Sequence, residues 1–209
     1  MIEVKTFNAD GHPDAPISVS EDLFGKRIRK VLLREALLMY ETNKRQGNAS
    51  VLRRGEVQGS TRKLHSQKHT GRARVGDSRS PIRKGGGSVW GPKPRDYSYH
   101  LPKKALRAAL DSAILAKLID HEVVVADCRT SDAPKTKPVA AYFKAIGLQA
   151  GTSVLYVTLD LDLVFHKSAR NIGGLEILPL AQLYAYAVVR PKAVVFSRQA
   201  FEKLLEERR

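Results

Sequence analysis

At 209 residues, 43% of them hydrophobic, the chain is long enough to bury a core, yet its formal net charge of +15 and pI near 10.1 set it apart from ordinary globular proteins and point to a polyanionic partner, nucleic acid or an anionic membrane. Cys128 is the single cysteine, which excludes an intrachain disulfide and a thiolate metal cluster. No run approaches the roughly 18 apolar residues of a membrane span, and residues 1–11 hold no signal-peptide core, so a soluble, cytoplasmic protein with no membrane partner is expected.

In chain order, Ile2-Glu3-Val4-Lys5-Thr6-Phe7 alternates apolar with polar and predicts a half-exposed strand, Asn8-Ala9-Asp10-Gly11 a turn, and Ile17-Ser18-Val19 a short partner strand. Ser20, Glu21 and Asp22 open a short helical turn. From Lys26 to about Arg45, Ile28, Val31, Leu32, Ala36, Met39 and Tyr40 keep a helical stripe, ended by Gly47-Asn48. A second long helix is predicted over 102–120, with Pro102 at its first turn and Leu106, Ala109, Leu110, Ala113, Ile114 and Leu118 marking the buried face.

Beyond residue 120 the pattern changes. Runs at 123–126, 153–158, 174–178 and 193–196 are short and nearly all apolar, as expected of strands covered on both faces. Helical segments at 135–147, 161–169, 180–187 and 198–208 alternate with them, the last capped by Ser197. Alternating strand and helix predicts an α/β fold, a single three-layer domain over 1–209 with a mostly parallel sheet flanked by helices.

Residues 44–104 interrupt that domain. They hold sixteen Lys and Arg against Glu56, Asp77 and Asp96, a net +13 out of the chain's +15, with 9 of the 15 glycines and only 13 apolar residues among 61. Neither helical nor strand periodicity runs through them, and so little apolar surface does not offset the entropy of ordering. The stretch is therefore expected to be a long extended basic loop ordered by a polyanion. Arg forks phosphate and stacks on bases, and Trp90, Tyr97 and Tyr99 offer stacking faces, so nucleic acid is the expected partner. Each limb of about 25–30 residues spans at most roughly 80–100 Å.

Other chemistry finds little support. Trp90 stands where a dinucleotide fingerprint needs its third glycine after Gly85-Gly86-Gly87, and no GxxxxGK[ST] occurs. The triplet lets backbone approach something closely, RNA in one reading, or serves as a hinge in the other. His65 and His69 are four apart, but Gly71 and the basic neighbours argue against a helix and a metal, leaving phosphate or base contact. Asp160 and Asp162 follow a strand where α/β enzymes place acids, yet acids at a helix start are common and no partner base is in sight. Nothing like GxSxG surrounds a serine, so no enzyme, cofactor or metal site is expected.

The wording of the basic stretch carries a resemblance. Arg54-Gly55-Glu56-Val57, Gly59-Ser60-Thr61-Arg62-Lys63, Gln67-Lys68-His69-Thr70-Gly71-Arg72-Ala73-Arg74, Arg79-Ser80-Pro81, Gly85-Gly86-Gly87 and Gly91-Pro92-Lys93-Pro94-Arg95-Asp96-Tyr97, with Leu101-Pro102-Lys103-Lys104 and Ser168-Ala169-Arg170-Asn171, closely resemble the ribosomal protein L-four family of bacterial large subunits. The resemblance spans essentially the whole chain. It implies a non-enzymatic structural constituent of the large subunit that binds large-subunit rRNA, its loop reaching the nascent-peptide exit tunnel and supporting assembly.

The resemblance further implies rRNA contacts by Arg53, Arg54, Arg62, Lys63, Lys68, Arg72, Arg74, Arg79, Arg83, Lys84, Trp90, Lys93, Arg95, Lys103 and Lys104. It places Lys63, Leu64, His65, Ser66, Gln67, Lys68 and His69 at the tunnel-lining tip. The sequence departs from the family pattern at that tip, where members commonly carry a Pro-Trp-Arg-like stretch at Leu64-His65-Ser66 and a glycine at His69. Implied partners are rRNA and neighbouring ribosomal proteins, with the protein's own messenger RNA as a target in some members and no homo-oligomer. On charge alone, a basic DNA-compacting protein is the alternative.

Overall fold

The computed structural model describes residues 1–128, 134–148 and 151–208. Among these residues six strands form one sheet: β1 (Ile2–Phe7), β2 (Pro13–Val19), β3 (Val123–Ala126), β4 (Val154–Thr158), β5 (Leu175–Pro179) and β6 (Ala193–Phe196), in the order β2-β1-β3-β6-β4-β5. Every pairing is parallel except β1 with β2, which is antiparallel. The expected mostly parallel sheet is therefore present. β2 runs longer than Ile17–Val19 because it lies at the sheet edge, where Pro13 and Pro16 cost no ladder donor.

Among the described residues, six helices flank the sheet: α1 (Lys30–Asn43), α2 (Lys103–Ile119), α3 (Thr136–Ala145), α4 (Leu163–Ala169), α5 (Ala185–Val189) and α6 (Arg198–Glu206). Because side chains alternate across a strand, each apolar run feeds two cores. Val123, Val125, Leu155, Val157, Val194 and Phe196 pack with residues of α1, α2, α5 and α6 on one face. Val124, Ala126, Val154, Tyr156 and Val195 pack with α3 and α4 on the other. The all-apolar β3 and β6, and β4 apolar up to Thr158, thus meet the requirement of a strand buried on both sides, and the result is a three-layer α/β arrangement. Alanines at 109 and 113 of α2 and at 185 and 187 of α5, all buried, let these two contacting helices approach closely.

Local chemistry sets several boundaries. α1 begins at Lys30 rather than Lys26, since a 3-10 turn at Glu21–Phe24 ends on Gly25 at φ +87° and Lys26 is itself left-handed at φ +55°. Asp162 accepts hydrogen bonds from the Val164 and Phe165 amides at 2.9 and 3.2 Å, which starts α4 two residues later than the pattern suggests. The expected helix at 180–187 divides into a 3-10 turn, Leu180–Gln182, and α5. Ser197 caps α6 by accepting from the Ala200 amide at 3.3 Å.

The chain divides into two compact units, Met1–Glu41 with His100–Arg209, and Thr42–Tyr99. The first contains the sheet and both cores. In the second, Gly87 is the only buried residue, so side-chain burial contributes little to its shape.

Candidate nucleic-acid interface

The Thr42–Tyr99 unit is braced by backbone. The Asn43 side chain closes its neck, donating to the Tyr99 carbonyl at 3.2 Å and accepting from the Tyr99 amide at 3.0 Å. Outgoing and returning limbs then meet through Arg95 N to Gly47 O at 3.3 Å, Val51 N to Pro92 O at 3.0 Å and Ser88 N to Leu52 O at 2.9 Å. Farther out, Leu64 N donates to Gly76 O at 3.0 Å, and His65 Nε2 lies 3.0 Å from the Ala73 carbonyl. Residues 66–72 form the turn between these last contacts.

Glycine makes the bracing possible. A Cβ on Gly86 would lie 1.9 Å from the Ser80 carbonyl oxygen, and one on Gly87 2.2 Å from the Arg54 amide nitrogen. Gly86 and Gly87 therefore admit a close approach of the chain's own backbone, whereas a Cβ on Gly85, at φ +79°, would meet nothing within 4 Å. At the distal turn His69 holds φ +65°, a region in which glycine is at ease.

All three carboxylates of the unit are engaged locally. Glu56 pairs with Lys93 and accepts from the Arg53 amide at 2.9 Å, and the hydrogen bond from Lys93, followed by that from Arg53, holds its pKa below the usual carboxylate value. Asp77 lies 3.9 Å from the Arg79 guanidinium. Asp96 accepts from the Ser98 amide and hydroxyl, each at 2.8 Å.

The expected contact residues therefore separate into two groups. Arg53, Arg54, Arg62, Lys63, Lys68, Arg72, Arg74, Arg83 and Lys84 are exposed. The charge of Arg53 acts on Glu56; the other eight have no carboxylate partner among the described residues, and Lys63 donates to the neutral Gln67 side chain. Arg79, Lys93 and Arg95 are tied into the unit itself. Arg79 is half-buried, donating to the Val57 carbonyl at 3.4 Å with its Nε enclosed and unbonded. The guanidinium of Arg95 lies 4.3 Å, and that of Arg45 4.1 Å, from the Tyr97 ring centroid. Tyr97 is consequently occupied by the chain's own arginines rather than offered as an open stacking face; the hydrogen bond from Arg95 also lowers its pKa. Trp90, 89% exposed, is open, and Ile82, which the charge pattern does not single out, is exposed as well. Lys103 and Lys104 stand exposed at the start of α2 in the sheet unit.

The C-terminal ends of β3, β4 and β6 border a crevice holding Asp127, Tyr156, Asp160, Asp162 and Ser197. This is where α/β folds place catalytic groups, but here Asp127 and Asp162 serve the backbone. Asp162 caps α4, and Asp127 accepts from the Arg198 amide at 2.8 Å. The Tyr156 hydroxyl donates to the Ala126 carbonyl at 3.2 Å, and burial pushes its pKa up. Among the described residues no histidine or lysine lines the crevice to act as a base, and no group of three or more His, Cys, Asp and Glu is placed to hold a metal.

Comparison with known proteins matches this construction to a family throughout. The family described as "Ribosomal protein L4/L1 family" matches residues 17–207. The chain is 39% identical over 204 residues to the large ribosomal subunit protein uL4 of Rhodopirellula baltica, covering 98% of this chain and 91% of that protein. It is 42% identical over 206 residues to the large ribosomal subunit protein uL4 of Symbiobacterium thermophilum, covering 99% of each. Since the match runs through the sheet unit and the basic braced unit alike, the chain belongs to the ribosomal protein L4/L1 family.

Proposed function

We propose that the protein is a structural, non-enzymatic constituent of the large ribosomal subunit in the cytoplasm, with the sheet unit as an anchor and residues 44–104 as an arm that penetrates large-subunit rRNA. The observation that carries this reading is the charge state of the arm: its three carboxylates are engaged locally, while eight exposed Arg and Lys from Arg54 to Lys84 lack acidic partners among the described residues. Such cations gain most from phosphate, whose condensed counterions they release. Arg54, Arg62, Arg72, Arg74 and Arg83 fork phosphate oxygens, while Trp90 supplies a face for an unpaired base.

In this reading Lys63–His69 reaches the nascent-peptide exit tunnel, Lys103 and Lys104 extend the phosphate contacts, and neighbouring ribosomal proteins complete the surroundings. The protein's own messenger RNA, if folded like the rRNA site, is a further target. The test is equilibrium binding of the full chain to large-subunit rRNA across a salt series, with duplex DNA as a salt-matched competitor. Neutralising about eight phosphates gives a log–log slope near −6 to −7, and rRNA outcompetes DNA. A slope near zero refutes the electrostatic account, and equal competition by duplex DNA favours a DNA-compacting protein.

A further inference from the structure

On the sheet face covered by α3 and α4, the structure leaves a groove of about 520 Å³ between α3 and the start of β5, within the range of about 300–1,000 Å³ typical of sites that bury a ligand. Phe143, Leu148, Val154, Ile172 and Leu175 form its apolar wall. Lys137, Ala140, Ala141 and Lys144 occupy one side of α3 at spacings of three, four and seven, and all four are exposed. The two alanines leave the groove open on the helix side, and a lysine stands at either end. Among the described residues no carboxylate lines it, and α3 carries none along its length.

This chemistry differs from that of the basic arm. Phosphate tracking uses arrays of cations, and base stacking uses exposed aromatic or guanidinium planes. Here, among the described residues, two cations flank an apolar wall whose one aromatic, Phe143, is 6% exposed. An apolar recess between two positive charges complements a chain segment with a large apolar side chain beside acidic residues, the anchor-and-rim arrangement of protein interfaces. We infer that the groove between α3 and β5 docks an acidic segment of another protein, whose apolar anchor enters the recess while its carboxylates meet Lys137 and Lys144. Every lining residue belongs to the sheet unit.

The test places the photo-crosslinker benzoylphenylalanine at Ala141 of the full chain in cells, with the same probe at exposed Lys203 of α6 as reference. After irradiation, the cross-linked peptide is mapped. The expected product is a protein segment with at least two carboxylates around a large apolar residue. Its yield falls about tenfold when Lys137→Glu and Lys144→Glu are combined, and recovers when the partner's carboxylates are replaced by lysine. Ala140→Trp, which fills the groove without changing charge, abolishes the same product. Cross-linking to RNA, a product no stronger than at Lys203, or a yield indifferent to charge reversal overturns the proposal. Sedimentation of each variant with large subunits, followed in parallel, separates failure at this groove from failure of the ribosomal reading.

Discussion

Cys128 follows β3, and burial pushes its thiol from 9.0 to about 11. The thiolate is the reactive form, so at pH 8 the native cysteine should react with iodoacetamide about a hundredfold more slowly than the same cysteine in urea. The sign for stability follows: between pH 9 and 11 the unfolded thiol releases a proton that the folded one retains, so this group's contribution falls as pH rises through that window. Equal alkylation rates in the two states would contradict the burial argument. In the arm, Gly87 makes a sharper demand, because a side chain there collides with fixed backbone at Arg54. Gly87→Ala should weaken the brace by about 1–3 kcal/mol, read as faster amide exchange at Ser88. Gly55→Ala, with nothing within 4 Å of its Cβ, should leave exchange unchanged. A null effect at Gly87 would mean that the limbs are not held together as described.

At the level of elements, α6 shows how a cap and a buried stripe act together. Ser197 fixes its first turn, and Ala200, Phe201 and Leu204 face the core. Ser197→Ala should lower stability by about 1 kcal/mol, measured by denaturant midpoint, with Ser197→Asp retaining most of it. β3, β4, β6 and α2 are legible in the sequence because each meets a simple demand: apolar on both faces for the strands, one apolar stripe for the helix. The start of α1 is less legible, since it depends on the left-handed Gly25 and Lys26, and a helical stripe runs straight through Lys26 without registering the turn. The two prolines of β2 obscure a strand that tolerates them only because it ends the sheet. Within the arm, the excess charge is plain from composition, but composition treats all cations alike. That Arg79, Lys93 and Arg95 brace the unit, while Arg54, Arg72 and Arg74 remain available, depends on which residues the limbs bring together. Arg208 is likewise no idle surface charge, as its guanidinium donates to Asp111 at 2.7 Å.

The whole molecule separates two tasks. Stability resides in the sheet unit with its two apolar cores, whereas the charge and the absence of a core belong to the Thr42–Tyr99 unit. In the proposed function the first holds position and the second makes the RNA contacts, so changes to the exposed arm cations should impair assembly without unfolding the protein. The most direct test is sucrose-gradient sedimentation of cell lysate at moderate salt, comparing the unaltered chain with the pair Arg72→Ala and Arg74→Ala, and with Lys203→Ala on the exposed side of α6. The proposal predicts that the unaltered chain and Lys203→Ala travel with large subunits, while the arginine pair shifts substantially to the free fraction with its melting temperature unchanged. An unaltered chain found free or on the nucleoid, or an arginine pair retained on subunits as fully as Lys203→Ala, would contradict it.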